Sequence, residues 1–279
     1  MSDNVRKTPR VSVVVPVYCH TDDHAIFLAE ALQSVAEQTY RDFEVVIVDD
    51  VSPRDILPLV DSVEGLPEIR VLRNVMNVRQ AESRNVGIRA CRGELIAFLD
   101  HDDLWMPDKL ARQVEALDAN PDAVMVFCDM IMFGMSVDWL KINQEIIPER
   151  PEFYWFVAHG NFVISASAVL VRKQAMLDIG LFDSRYSTCD DFDAWLKLLM
   201  SSPIIHLAGK LAKYRLHAYN ANYTVDRLND NVLLTALIWR YWRQASTMDK
   251  IRLLPRLGRK YLGRIYFTVR RFRKFKGGR

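Results

Sequence analysis

Gly93-Glu-Leu-Ile-Ala-Phe-Leu-Asp100-His101-Asp102-Asp103-Leu-Trp-Met-Pro107 runs an apolar strand directly into three carboxylates. Residues 95–99 lack polar alternation, the pattern of a strand covered on both faces, so the carboxylates fall just past its carboxyl end. That is the end at which open α/β sheets bind ligands. Hard divalent cations such as Mg²⁺ take oxygen ligands and keep waters and substrate phosphates, so one or two carboxylates suffice for a metal-nucleotide site. The same stretch also reads as a polar turn whose aspartates cap the helix entered at Pro107. Taken alone it leaves both readings open.

Upstream, residues 11–15 form an unbroken β-branched and serine run ending at Pro16, and residues 25–38 place Leu28, Leu32 and Val35 at helical spacing. Residues 43–48 read as a second strand and end in Asp49-Asp50; further strands are predicted at 70–72 and 123–128. Leu110, Val114 and Leu117 recur at i, i+4 and i+7, which marks a helix from Pro107 to just before Asn120-Pro121. Strands alternating with helices predict a doubly wound, mostly parallel, Rossmann-like α/β sheet. Two of its strands end in carboxylate pairs, the pattern of a site. Beyond Asp129 the rhythm breaks: residues 131–162 are rich in Met, Trp, Tyr and Phe without a clean period. That stretch reads as a substrate-facing segment or as aromatic core. A strand is predicted over 161–171, a short helix stopped by Gly180, and a helix over 190–200 with Phe192, Trp195, Leu196 and Leu199 on one face.

The 279 residues, half hydrophobic and a quarter charged, suit one large α/β domain with an appendage. The four cysteines, Cys19, Cys91, Cys128 and Cys189, are widely spaced without a CxxC pair, which points to reduced thiols and away from a zinc site or disulfide framework. Residues 1–10 are polar, and the longest apolar stretch, 123–135, is broken by Asp129, so a cytoplasmic protein, soluble or peripheral on the inner face of the membrane, is expected. The net charge of +2 conceals an asymmetry: residues 250–279 hold 12 basic and no acidic residues, against 25 basic and 35 acidic in the remainder.

Several short segments, in this order and spacing, resemble family 2 glycosyltransferases of the GT-A fold from about Val11 to Asn222. Val13-Val-Val-Pro16-Val17-Tyr18 resembles the opening strand whose exit touches the nucleotide, and Asp50 stands at the uracil-binding aspartate. Ser83-Arg84-Asn85-Val-Gly87-Ile88 resembles the helix before the DxD strand, with Arg84 as base contact. Asp100-His101-Asp102 matches the DxD motif; the resemblance puts Asp100 near the ribose and gives Asp102 the metal that bridges to the donor diphosphate. Gly180-Leu-Phe-Asp183 and Asp190-Asp191-Phe-Asp-Ala-Trp195 resemble the segment holding the general base, so Asp191 takes that role, and Tyr214-Arg215-Leu-His217 resembles the closing segment whose His217 completes the metal site. The implied activity is inverting, non-processive transfer of one sugar from a nucleotide-sugar donor, UDP-linked by first expectation, to a glycan or lipid-linked acceptor, with Mn²⁺ or Mg²⁺. No QxxRW motif of the processive synthases is present. The chain departs from the pattern at Cys19, where Asn is usual, and at Val51 and Arg79, where Gly is usual; only Gly adopts positive φ without cost, so these side chains should restrict their loops.

The chemistry makes two demands. An acceptor hydroxyl needs a general base, and the departing diphosphate needs its growing charge stabilised. Asp191, at a helix N-terminus, is expected to stay ionised; without the resemblance, Asp190, Asp191 and Asp193 read first as helix caps. The expected division is a GT-A domain over 1–225, with a nucleotide-binding half at 10–129 and an acceptor half at 130–225, followed by a basic helical tail over 226–279. Within that tail Leu254, Leu257, Tyr261, Ile265, Val269 and Phe272 recur at steps of three and four among Arg and Lys, a basic amphipathic helix suited to an anionic membrane surface. Packing on the catalytic domain, a partner groove and nucleic acid are the alternatives, with nucleic acid not expected. Two other functions stay open: a catalytically silent GT-A-like binding protein, and a nucleotidyltransferase.

Overall fold

The computed structural model describes residues 8–135, 147–159, 161–186, 189–218, 220, 240–242, 247–248 and 250–251. Its strands are β1 (Val11–Val17), β2 (Phe43–Asp49), β3 (Glu68–Arg73), β4 (Leu95–Phe98), β5 (Leu104–Trp105), β6 (Met125–Gly134), β7 (Val169–Arg172) and β8 (Ile204–Leu216). The helices are α1 (Asp22–Ala36), α2 (Leu57–Asp61), α3 (Arg79–Ala90), α4 (Lys109–Ala119), α5 (Phe153–His159), α6 (Lys173–Asp178) and α7 (Asp190–Ser201). One sheet runs in the order β3-β2-β1-β4-β7-β6-β8-β5. The β1, β2, β3 and β4 pairings are parallel, as is β6 with β8, whereas β7 runs antiparallel to both β4 and β6. The mostly parallel α/β expectation holds, with an antiparallel strand at its centre.

Every residue of β1, β2 and β4 is buried, as their unbroken apolar runs require. Pro16 is tolerated in the central β1 because β4 stops early: Val14 accepts the Leu99 N–H on that side, and Pro16, two residues on, lies past the end of the β4 pairing, where no ladder bond is needed. Helix α3 lies so close to the sheet that a Cβ at Gly87 would meet Val14 Cγ1 at 2.4 Å, which explains the glycine within Ser83-Arg-Asn-Val-Gly87. Helix α1 starts at Asp22, ahead of the apolar period, because the Thr21 hydroxyl caps it by accepting the His24 N–H at 3.2 Å.

Two expectations change. The strand expected over 161–171 exists only as Val169–Arg172. Before it the Ser165 hydroxyl accepts the Ser167 N–H and stabilises a 3₁₀ turn at Ala166–Ala168, a local bond that competes with a ladder. Conversely, residues 131–134, read as aperiodic, continue β6 to Gly134, because β8 pairs with it along its length across a bulge at Asp129. The helical period of 153–159 was hidden by its aromatic content. The predicted tail helix lies outside the described residues from 252 on; Tyr241 is described, and is buried with its hydroxyl donating to Asp193 at 2.5 Å. Among the described residues no helix is long and apolar enough to cross a membrane.

Candidate active site

The three aspartates after β4 do not cap α4. The Leu110 N–H donates instead to Gln38 Oε1 from the end of α1 (3.0 Å), and Asp108 at the N-cap makes no side-chain cap. The aspartates are divided among other partners. Asp103 is fully buried, accepts the Arg215 N–H (3.1 Å) and takes a bond from the Ser165 hydroxyl (3.0 Å). Burial, then the charges of Asp102 and Asp100, push its carboxyl well above the usual range. Asp102 goes the other way. Burial opposes its charge, but a 2.9 Å bond from Asp102 Oδ2 to His217 Nε2 and the nearby His101 and His217 imidazoles hold it below the usual carboxylate range. The two neighbouring acids are thus shifted in opposite directions, Asp102 toward the anion and Asp103 toward the protonated form.

Asp102 and His217 come from segments 115 residues apart and meet because β5 after the aspartates pairs antiparallel with β8 before the histidine. Arg215 reinforces that junction: its guanidinium donates to the Asp102 carbonyl (2.8 Å) and to Glu30 (2.5 Å) while stacked over Phe27 and Phe133. His24 and Phe27 on α1 put their rings 6.0 and 5.1 Å from the His217 ring, and His24 lies 4.4 Å from His20 and 5.2 Å from His101. Burial, with the charges of His101 and His20, pushes His24 down to about 4. Four of the six histidines therefore gather beside Asp102, a grouping that no local sequence pattern announces.

On the nucleotide side, Tyr18 follows β1 and is 40% exposed, its ring 5.2 Å from that of His20. Asp50 is buried and occupied. Its Oδ1 accepts the Val78 N–H and Asn74 Nδ2, and its Oδ2 accepts the Arg79 N–H, each at 2.8 Å. Since α3 has no side-chain cap of its own, Asp50 caps it from the end of β2. Val51 and Arg79, the two positions where glycine was expected, sit at φ 63° and 67°. The loops keep the left-handed turn and carry side chains in it, at a cost of about 1–3 kcal/mol each.

Arg84 links the two sides. Its side chain is 4% exposed; Nη2 donates to Asp100 Oδ1 (2.7 Å) and Nη1 to Asp190 Oδ2 (3.4 Å), with the guanidinium 5.6 Å from the Phe182 ring. The expected base-contact arginine is thus an internal strut between the DxD segment and the start of α7. Asn85 beside it clamps the Phe182 backbone from both sides, Nδ2 to the carbonyl (2.9 Å) and Oδ1 from the N–H (3.0 Å). Asp191 accepts its neighbour's Phe192 N–H (2.6 Å) and Asn161 Nδ2 (3.1 Å). Burial raises Asp190 to about 7, with Arg84 opposing and Asp191 adding to the rise, and burial also raises Asp191 against the pull of Arg84. The helix N-terminus does not hold this pair at ordinary acidity.

The donor set suits one divalent cation. An ionised Asp102 oxygen beside an imidazole nitrogen offers two ligands, the number a cation needs when phosphates and water complete its shell. Among the described residues no group of three or more His, Cys, Asp or Glu is placed to hold a metal ion. Pro16 and Tyr18 stand at the end of β1, Asp50 just past β2, and Asp100 and Asp102 just past β4, where Arg84 contacts Asp100 and His217 contacts Asp102. Sequence reading missed Ser165, Ser167, Asn74 and Asn161, each of which acts through a contact remote in sequence.

The sequence profile described as Glycosyl transferase family 2 matches residues 12–180. An uncharacterized glycosyltransferase of Haemophilus influenzae is 31% identical over 194 residues, 68% of this chain and 62% of that protein. The chain thus covers under two thirds of that relative's length. A second, from Rickettsia typhi, is 28% identical over 251 residues, 87% of this chain and 76% of that protein. Among solved structures, Staphylococcus aureus TarS 1–349 in complex with UDP-GlcNAc aligns with a TM-score of 0.63 at 18% identity, over 89% of this chain and 80% of that one. Mannosyltransferase PcManGT from Pyrobaculum calidifontis, in complex with GDP-Man and Mn²⁺, gives 0.59 at 19% identity, over 90% and 80%. At such identity the structural likenesses establish the fold, GT-A, while the profile, matching more than half of the chain, establishes descent: the chain belongs to glycosyl transferase family 2, a family of sugar-transferring enzymes.

Proposed function

We propose that the protein transfers a single sugar, with inversion, from a nucleotide sugar to a hydroxyl of a glycan or lipid-linked acceptor, and that the donor is a UDP-sugar. The observation that carries this reading is the pair of acidic centres on either side of Arg84. Asp100 and Asp102 with His217 lie at one end, Asp190 and Asp191 at the other. An in-line displacement needs that separation, a charge-stabilising centre for the leaving group and a base for the incoming hydroxyl. The UDP-GlcNAc bound to TarS supports the donor class.

Asp102 and His217 are the residues that would hold Mn²⁺ or Mg²⁺, and the cation would supply positive charge to the diphosphate as it leaves. Asp191 accepts the proton of the acceptor hydroxyl. Asp103 and Ser165 hold the turn that aims Asp102; Arg84 fixes the distance between Asp100 and α7. Tyr18 and the Asp50-capped start of α3 border the nucleotide. The tail over 250–279 would tether the enzyme to an anionic membrane where a lipid-linked acceptor resides, each basic residue near the surface contributing about 1 kcal/mol.

The test is a thermal-shift and turnover assay with UDP-sugars and Mn²⁺. The wild type should gain thermal stability with donor plus metal and lose the gain on chelation. Asp191→Asn should keep the shift and lose turnover about a hundredfold or more; Asp102→Asn should lose both. An Asp191→Asn enzyme with wild-type turnover would overturn the base assignment, and a shift indifferent to chelator would overturn the metal.

A further inference from the structure

The segment 161–167 touches both acidic centres. At its start Asn161 donates to Asp191 Oδ2 (3.1 Å). Four and six residues on, the Ser165 hydroxyl lies 3.2 Å from Asp100 Oδ2 and 3.0 Å from Asp103 Oδ2, and the Ser167 hydroxyl accepts the Asp100 N–H at 3.0 Å. The Ser165 and Ser167 hydroxyls are bonded to each other at 3.1 Å, and the latter residue is fully buried. The donor end of the segment is therefore rigid. Its other end is fixed by the Asn161 amide itself: Oδ1 accepts the Val163 N–H (3.2 Å), which orients the amide so that Nδ2 faces the aspartate.

We propose that Asn161 is the positioning residue of the general base: it locks the Asp191 carboxylate in one orientation, and the 161–167 segment sets the distance of that carboxylate from the donor-side aspartates. The inference rests on reading Asp191 as the base. The chemistry gives the reason such a residue is needed. A carboxylate rotates easily about its terminal torsion, and Asp191 has one oxygen tied to its neighbour's Phe192 N–H. With Asn161 occupying one site on the second oxygen, that oxygen keeps one lone pair, fixed in direction, to take a proton. Attack in line with the leaving diphosphate depends on that lone pair being at a set distance, and a misplacement of about 1 Å can cost a hundredfold in rate.

The groups facing Asp191 from other elements are Arg84 on α3 and Asp100 beyond β4, with Asp190 on its own helix. Asn161 adds a neutral donor to this set. Its loss should leave the burial and the charges unchanged and remove one bond that favours the carboxylate, so the base should take up its proton at higher pH. A role confined to stability would move neither this titration nor the split between kcat and KM. Asn161 is exposed, so its variants should fold.

The experiment uses the full chain, labelled with ¹³Cγ-aspartate and titrated by NMR. The Asp191 signal is identified by its absence in Asp191→Asn. In Asn161→Ala its midpoint should rise by about half a unit, and in Asn161→Asp, which sets a second carboxylate beside it, by more. Turnover is followed as nucleoside diphosphate release from a panel of UDP- and GDP-sugars with Mn²⁺. Asn161→Ala should lower kcat about tenfold with donor KM unchanged, move the acid limb of the pH profile upward, and have no further effect on an Asp191→Asn background. An Asp191 midpoint and a kcat both equal to wild type would overturn the inference. Should Asp191→Asn itself turn over normally, the base reading falls, and the NMR titration still reports on the Asn161 contact by itself.

Discussion

The amino and carboxyl ends of the parallel strands hold buried carboxylates in opposite conditions. At the amino end Glu44 is fully buried, and every bond it accepts comes from a donor placed for it: the Ser12 hydroxyl (2.7 Å), the Arg92 N–H (2.7 Å) and guanidinium (2.9 Å), and Arg70 (3.0 Å). Burial opposes its charge and these bonds prevail, so its carboxyl lies below the usual range. At the carboxyl end the acids outnumber the cations. One buried arginine serves Asp100 and Asp190, and Asp103, Asp190 and Asp191 are all raised. A balanced cluster is a structural device. An acid-rich cluster, stable only through protonation or an added cation, marks the working edge of the sheet.

The comparison can be broken most forcefully at Arg84. Arg84→Met should destabilise the fold by about 3–5 kcal/mol, because it leaves Asp100 and Asp190 buried without their cation; chemical denaturation measures this, and a loss below 1 kcal/mol would show that the strut is dispensable. Glu44→Gln should cost less, about 1–3 kcal/mol, since Arg70 and Arg92 remain partly solvated. Turnover per folded molecule should stay at the wild-type level, and any fall in it would erase the distinction between the two ends.

A subtler effect is carried by pH. Asp190 titrates at about 7 in the folded protein, against roughly 4 in an unfolded chain. The folded state therefore binds more protons in between, and the stability that Asp190 contributes is complete below pH 4 and lost as pH rises through 7. Melting temperatures across that window should show this decline superimposed on other titrations, and Asp190→Asn should flatten it. An identical profile in the variant would remove Asp190 from the account. The smallest effect belongs to the loops: Val51→Gly relieves a β-branched residue at φ 63°, and a gain of about 0.5–1 kcal/mol is expected. A loss instead would mean that the valine side chain contributes more by packing than its backbone costs.

The parallel half of the sheet was legible because its strands are short apolar runs punctuated by Asp49-Asp50 and Asp100-His-Asp102, signals that lie within a few residues of one another. The same locality explains the errors. Strand β8 is 13 residues of mixed polarity whose identity depends on its partners β6 and β5, so no window of its own sequence shows it. Ser165 and Ser167 looked like ordinary strand residues, yet their hydroxyls face Asp100 and Asp103, and those bonds replace the ladder. Val51 and Arg79 were visible as departures, but only the backbone reveals that the turn survived them. For Asp50 the residue was legible while its place at the head of α3 was not, since a cap donated across 28 residues leaves no local spacing.

The clamp between Asn85 and the Phe182 backbone bears on how such an enzyme could be remodelled. It closes 97 residues of chain, and the Arg84 strut beside it reaches 106 residues to Asp190. Loops of that length close at an entropic cost that is repaid only when the late segments arrive. Asn85, Arg84 and Asp100 are therefore completed by the second half of the chain. A fragment ending at residue 135 would keep the Arg84–Asp100 pair but lose Asp190, the Phe182 backbone and the Ser165 and Ser167 hydroxyls, and would not behave as a self-sufficient nucleotide-binding module. In evolutionary terms the two halves are one inheritance: exchange of halves between relatives would have to carry both ends of the clamp together.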